Sequence, residues 1–152
     1  MTASNTAKRS FVLLRIGPRR FALPAEAVAE LAPPVKLHVF PHTSPSVAGV
    51  IVRRRRIVPV YDVGPLLSGR SAHGEQFYLI TRGGGGAGEF RAILVSGECE
   101  LATGEVRPPD ADRQAYVAGT LRTSEETVDV LDPDALIASA QVRERAGVEA
   151  RP

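Results

Sequence analysis

The chain has one cysteine, Cys99, one methionine and no tryptophan, and only five phenylalanines and three tyrosines among its 152 residues. A lone cysteine excludes an intramolecular disulfide and fits a reducing cytoplasm. The apolar runs are short and broken by charge, so no segment reaches the ~20 residues that a membrane helix requires. Met1 to Lys8 lacks the apolar core of a secretory signal peptide, which again favours the cytoplasm. The spacings that carry common chemistries are missing too. There is no Gly-x-Ser-x-Gly elbow. The glycine run Gly83 to Gly88 has neither the Gly-Lys-Ser/Thr of a phosphate loop nor a dinucleotide fingerprint, and reads as a hairpin loop. His38, His42 and His73 are not spaced as metal ligands with one another or with Cys99. These absences disfavour an enzyme and lead us to expect no cofactor and no metal.

What the chain does have is a repeat. Val47 to Leu67 returns seventy positions later, with Val47/Val117, Ala48/Ala118, Gly49/Gly119, Val58/Val128, Val60/Val130, Asp62/Asp132 and Leu66/Leu136 matched without a gap. The match extends back through Ala22/Ala92, Glu30/Glu100, Leu31/Leu101 and Ala32/Ala102, and fades between Pro33 and Ser46. Between the matched strands, Arg53 to Arg56 stand opposite Thr123-Ser124-Glu125-Glu126. The charge of one turn is therefore inverted in the other. Residues 1–70 carry eleven Lys/Arg against three Asp/Glu, a balance of +8, whereas residues 71–152 carry eight against fourteen, a balance of −6. Such a split suits surfaces that meet partners of opposite sign, and it predicts weak head-to-tail self-association.

With 43% hydrophobic residues the chain can bury a core. Ser10 to Ile16 reads as a strand, and Gly17-Pro18 turns it into a second one at Phe21 to Leu23. Pro24 can open a short helix that runs through Val28 and Glu30 until Pro33-Pro34 stops it. Lys36 to Phe40 alternates as a half-buried strand would. Two apolar runs flank the arginines as a hairpin, with Pro59 at a strand edge or bulge. Gln76 to Thr81 and Phe90 to Val95 make another pair, followed by a strand near Glu98 to Leu101, a hairpin from Tyr116 to Leu131 and a helix from Pro133. Asp62 and Asp132 each precede a helix and suit N-caps rather than catalytic carboxylates. Gly49 and Gly119 mark backbone positions of close packing or unusual dihedrals.

Many short strands with turn signals predict a mainly β protein of small closed sheets, one per repeat. Ser10 to Ile16 has no counterpart at the seventy-residue offset and is expected to cross over and complete the other barrel. Arg53 to Arg56 could grip phosphates, which keeps a small-barrel nucleic-acid binder as the alternative function. Four consecutive arginines point to opposite faces of an extended chain and have no interleaved aromatics, so a solvated hairpin tip or a protein-docking turn is the stronger reading.

Phe11-Val-Leu-Leu-Arg-Ile-Gly17 with Phe21-Ala-Leu23, Glu26 to Leu31, Val47-Ala-Gly49 with Ile57-Val-Pro-Val-Tyr-Asp62, and Tyr116-Val-Ala-Gly119 with Val128 to Asp132 together resemble CheW-like domains, the adaptor modules of bacterial chemosensory arrays. The resemblance covers about residues 10–138, leaving 1–9 as a tail and 139–152 as a helix end or tail. It implies two SH3-like five-stranded β-barrel lobes with short helices around a groove, one about 17–75 and the other about 10–16 plus 76–138. It also implies a non-enzymatic scaffold between a methyl-accepting chemoreceptor and the regulatory domain of a CheA-type histidine kinase, in the cytoplasm or recruited to receptor arrays. Val28 and Glu30 match family positions near the receptor groove, and Arg54 matches the arginine of the family's Asn-Leu-Arg-Gly. With Arg53, Arg55 and Arg56 they form the expected partner-binding set. Val52, Arg53 and Arg55 stand where that motif has Asn, Leu and Gly.

Overall fold

In the computed structural model, residues 8–41, 46–70, 76–83, 89–97 and 99–149 are described, the side chains of 143–149 excepted. Two hairpins with apolar residues on both faces organise the molecule. The first joins β1 (Arg9–Ile16) to β2 (Arg19–Pro24) through Gly17, whose φ of 61° is natural for glycine. The second joins β6 (Gln76–Arg82) to β7 (Phe90–Ser96). Successive strand residues point to opposite faces. Phe11 and Leu13 of β1 therefore enter one core, while Val12, Leu14 and Ile16 enter another.

Each hairpin is completed by three strands from elsewhere. In lobe one β6 and β7 sit between β3 (Val28–Ala32) on one side and β5 (Arg56–Tyr61) with β4 (Val47–Arg53) on the other, in the order β3-β6-β7-β5-β4. In lobe two β8 (Glu100–Arg107), β9 (Val117–Arg122) and β10 (Thr127–Leu131) join β1 and β2 in a closed barrel, β1-β2-β10-β9-β8. Short α1 (Gly64–Ser68) follows β5, and longer α2 (Pro133–Glu149) follows β10. One apolar core fills each lobe. A third, holding Leu14, Phe21, Leu23, Leu79, Ile93, Val95 and Leu136, lies between them. The lobes are also tied by Arg19 Nη1 donating to the Leu67 carbonyl at 3.1 Å and by an Arg91–Asp134 ion pair.

The repeat is a structural one. Gly49 pairs with Val60 and Gly119 with Val130, while Ala92 runs parallel beside Val60 and Ala22 beside Val130. Both ladders carry a bulge at the same place, after which Val47 faces Tyr61 and Val117 faces Leu131. Asp62 Oδ1 accepts from the Gly64 N–H at 3.0 Å, and Asp132 Oδ1 from Asp134 and Ala135 at 3.0 and 3.3 Å. The second set caps the first turn of α2.

Several local expectations are corrected. Val28 and Glu30 lie on β3, not on a helix; only Ala25–Ala27 make a single 3-10 turn. The ladder to β6 outweighs the helix propensity of this segment, which is too short to hold a helix alone. Lys36 to Phe40 contributes one bridge, His38 to Val50, rather than a strand. The strand expected near Glu98 to Leu101 begins at Glu100 and continues to Arg107. β2 joins β1 in lobe two and the β6–β7 hairpin belongs to lobe one, so the lobe boundaries differ from those expected. Pro59 lies in an interior strand, yet its missing N–H costs no ladder bond. Val50, opposite it, gives both backbone groups to His38, and the pairing of β5 with β7 starts one residue later at Val60. The expectations for His42, His73 and most of the glycine run lie outside the described residues.

The two lobes close differently, and Pro33-Pro34 is the reason. In lobe two β8 runs unbroken, pairing first with β1 and then with β9. In lobe one the matching strand ends at Ala32, because proline lacks the donor that a ladder needs, and the chain re-engages only at His38. The seam between β3 and β4 is thus left without a ladder. Where each glycine faces the returning chain, His38 in lobe one and β8 in lobe two, there is no room for a side chain. A Cβ on Gly49 would stand 2.4 Å from the His38 carbonyl oxygen, and one on Gly119 2.5 Å from that of Arg107. Gly49→Ala and Gly119→Ala are each expected to lose at least the ~1–3 kcal/mol typical of overpacking, read as a lowered midpoint in urea unfolding.

Candidate functional site

The arginines sit at the tip of the β4–β5 hairpin, directly over the open seam. Arg53 ends β4 and pairs with Arg56, the first residue of β5, which leaves Arg54 and Arg55 as a two-residue turn. Their φ angles are 53° and 67°. Positive φ at both central residues is the signature of a type I′ turn, whose twist matches that of the strands and which normally takes Asn-Gly. Arg55 thus holds the left-handed conformation without the glycine that favours it. In lobe two the loop is made otherwise: the Thr123 hydroxyl accepts from the N–H groups of Glu125 and Glu126 at 3.3 and 3.0 Å, with neither central residue at positive φ.

Glu30 on β3 reaches across the seam to this tip. Arg53 donates to it through two nitrogens, Nε to Oε1 at 3.2 Å and Nη2 to Oε2 at 2.9 Å, and Arg54 Nε adds a bond to Oε1 at 3.3 Å. A fork-on-fork geometry of this kind is stronger and more directional than a single ion pair. It holds the Glu30 carboxyl below its ordinary range, chiefly through the hydrogen bonds from Arg53, and raises the Arg53 guanidinium in return. The side-chain clasp spans the seam where lobe two has a backbone ladder.

Behind the clasp opens the mouth of lobe one, a cavity of about 420 Å³ lined by Ala29, Glu30, Arg53, Arg54, Arg56, Val58, Ile80 and Phe90. The Arg56 guanidinium lies over the Phe90 ring, 5.0 Å from its centre. The structure therefore gathers four residues of the expected set, Glu30, Arg53, Arg54 and Arg56, and separates two. Val28 packs against the core between the lobes, and its carbonyl accepts from Arg82 at 2.8 Å. Arg55 is exposed at the tip. The apolar lining, Val58, Ile80, Ala29 and Phe90, was missed. The only signal for it is that Phe90 stands at the repeat position of Arg20.

That correspondence also accounts for the inverted charge. In lobe two Arg20 bonds Glu100, the repeat of Glu30, at 3.2 Å and Glu126, the repeat of Arg56, at 2.7 Å. Each lobe answers its own glutamate, one with tip arginines and the other with Arg20. Burial pushes the Cys99 thiol up to about 11, away from the low values of activated thiolates.

Two measurements probe the clasp and its turn. Arg55→Gly should stabilise the protein by ~0.5–1 kcal/mol, the released left-handed strain less the backbone entropy of glycine, and should raise the thermal midpoint. Glu30 has its folded pKa below its unfolded value, so its stabilisation is full above the unfolded carboxylate pKa of ~4.3 and is lost as pH falls through the lower folded value. The unfolding free energies of the parent and Glu30→Gln should accordingly differ by a constant ~1 kcal/mol above about pH 5, and the difference should shrink as pH falls below the unfolded carboxylate pKa.

Comparison with known proteins agrees with this architecture. No curated protein matches the sequence. Among solved structures, the scaffolding protein TtCheW from Thermoanaerobacter tengcongensis superposes with a TM-score of 0.71 over 84% of this chain and 86% of that one, at 19% identity, a likeness of fold. The family model described as the CheW-like domain matches residues 10–141. Two five-stranded lobes of this fold, built on a repeat that the sequence itself displays, and a family match across nearly all of the chain place it among the non-enzymatic scaffolds of chemotaxis signalling: the chain belongs to the CheW-like domain family.

Proposed function

We propose that the protein couples a chemoreceptor to a CheA-type histidine kinase, working by reversible docking alone. The family match over residues 10–141 carries this reading. Two similar lobes with differently built ends supply two docking faces on one body. On lobe one the face is the arginine tip, where Arg55 is exposed and Arg54 has 78% of its side chain accessible. Beside the tip, Val52 and Ile57 form an exposed cross-strand pair, 56% and 72% accessible. An apolar pair next to cationic groups suits a partner surface with apolar residues rimmed by acids. We assign the kinase regulatory domain to this face and the receptor to the side of β3 that carries Val28, the position that the resemblance puts near the receptor groove.

The nucleic-acid alternative is weakened by the clasp, because Arg53 and Arg54 are engaged by Glu30 rather than arrayed for phosphates. Self-association through opposite tips loses some of its basis for the same reason, since Glu126 is bonded to Arg20. No helix among the described residues is long and apolar enough to cross a membrane. A cytoplasmic site of action, at receptor arrays, follows from the proposed partners.

The reading is tested by pull-down of a CheA-type regulatory domain with the parent protein, Arg55→Glu and Ile57→Ser. Each substitution is expected to weaken capture about tenfold, equivalent to ~1.4 kcal/mol, with circular dichroism unchanged. Equal capture by all three proteins would sink the assignment of this face.

A further inference from the structure

We propose that Arg82 is a positioning residue for both docking faces: its hold on two backbone carbonyls fixes a bulge in β3 that turns Val28 to one face and Glu30 to the other. This role rests on the docking function proposed above. The pairing of β3 with β6 runs from Ala32 opposite Tyr78 through Leu31 opposite Leu79 to Glu30 opposite Ile80, and then skips Ala29, so that Val28 faces Thr81. One extra residue sits in β3. Strict alternation from Leu31, which packs on the core between the lobes, would aim Glu30 into lobe one, Ala29 back at the shared core and Val28 into lobe one again. The bulge breaks that order. Ala29 packs against the lobe-one core, and Val28 joins Leu31 against the core between the lobes. Glu30 keeps its place beside Ile80, where its carboxylate meets Arg53 and Arg54.

Lobe two is built without this device. β1 pairs with β8 one for one from Arg9 opposite Gly104 to Leu13 opposite Glu100, and Cys99, the repeat of Ala29, packs against the shared core as alternation requires. The bulge therefore belongs to lobe one and not to the repeat.

A single guanidinium nitrogen holds the segment that enters the bulge. The Val28 N–H donates to the Ala25 carbonyl in the 3-10 turn, so it is not spent on β6. Arg82 Nη1 donates to the Glu26 carbonyl at 2.9 Å and to the Val28 carbonyl at 2.8 Å, one N–H for each. Bonds from a charged donor are the stronger kind, and two acceptors on one nitrogen fix residues 26 and 28 just ahead of Ala29. Arg82 is itself set by a ladder, opposite Phe90 at the end of the β6–β7 hairpin whose strands supply both the lobe-one core and the shared core. The start of β3 is thus referred to the most buried hairpin of lobe one. With that hold removed, a slip of one residue ahead of Glu30 would exchange the faces of Ala29 and Val28.

Nuclear magnetic resonance of isotope-labelled full-length protein reads the two faces through the Val28 and Ala29 amides and the Arg53 Nε–H. Arg82→Ala is expected to keep a dispersed folded spectrum and to shift all three signals. Arg82→Lys, which retains a charged donor, should return them toward the parent positions. Arg9→Gln, which removes a charge beside the Glu26 carboxylate and leaves its carbonyl alone, should leave them unchanged. In pull-downs, Arg82→Ala should weaken capture of both a CheA-type regulatory domain and a chemoreceptor cytoplasmic tip about fivefold, with Arg82→Lys restoring most of it, whereas Ile57→Ser weakens capture of the regulatory domain alone. Parent-like signals in Arg82→Ala, loss of only one partner, or absence of rescue by Arg82→Lys would each overturn the role. Failure of the docking function shows separately, as capture indifferent to Arg55→Glu and Ile57→Ser; the three signals then decide the role of Arg82.

Discussion

Two hairpins buried on both faces hold this molecule together. β1–β2 and β6–β7 each give alternate residues to their own lobe and the remainder to the core between the lobes. At ~1.5–3 kcal/mol for each large apolar side chain fully buried, the shared core of Leu14, Phe21, Leu23, Leu79, Ile93 and Val95 contributes a large part of the hydrophobic stabilisation, and neither lobe could keep it alone. The same constraint fixes register. A slip by one residue in either hairpin would exchange its two apolar sets between cores of different shape. Rigid placement of the two lobes, and hence of any two partners bound to them, follows from packing rather than from the few polar ties that cross between them.

Against this rigid centre, the end of lobe one is built from compromises. Proline breaks a strand, the barrel fails to close through its backbone, and an ion-pair clasp takes over across the gap. The turn that carries the clasp adopts left-handed angles at two arginines, a conformation of order 1–3 kcal/mol each when forced on side-chain residues. Lobe two shows that the same repeat can be closed without any of this, by a continuous β8 and a threonine-bonded loop. Strain and openness confined to one of two equivalent ends mark that end as the place where sequence was shaped by something other than stability.

How far the sequence disclosed this can be followed residue by residue. Gly49/Gly119, Val60/Val130 and Asp62/Asp132 were visible as a repeat because no insertion separates them, and they occupy equivalent ladder positions. The partner of β1 was hidden by a change of loop length. Leu13 pairs with Ala22, nine positions on, while Ile80 pairs with Ala92, twelve on, so β6 matches β1 at an offset three residues short of seventy. Glu30 facing Ile80 and Glu100 facing Leu13 confirm that correspondence. Helix formers dominate Ala25 to Leu31, and only the long-range ladder to β6 makes a strand of Val28–Ala32. The mouth was invisible for a related reason: Ala29, Val58, Ile80 and Phe90 come from four strands, and no local spacing links them.

The N-terminal hairpin belongs to the lobe whose other strands are made last. During synthesis β1 and β2 leave the ribosome long before β8 to β10, and at ~5–20 residues per second the interval is several seconds. Lobe one, whose strands lie between, can assemble in that time and offer Leu79, Ile93 and Val95 to the waiting hairpin. The outer face of that hairpin, Phe11, Leu13 and Ala22, stays uncovered until the barrel closes around it. Vectorial synthesis thus leaves one apolar surface in need of shielding in the cell, and a chain rearranged to begin at β3 and end with the hairpin would present it only when its covering strands already exist.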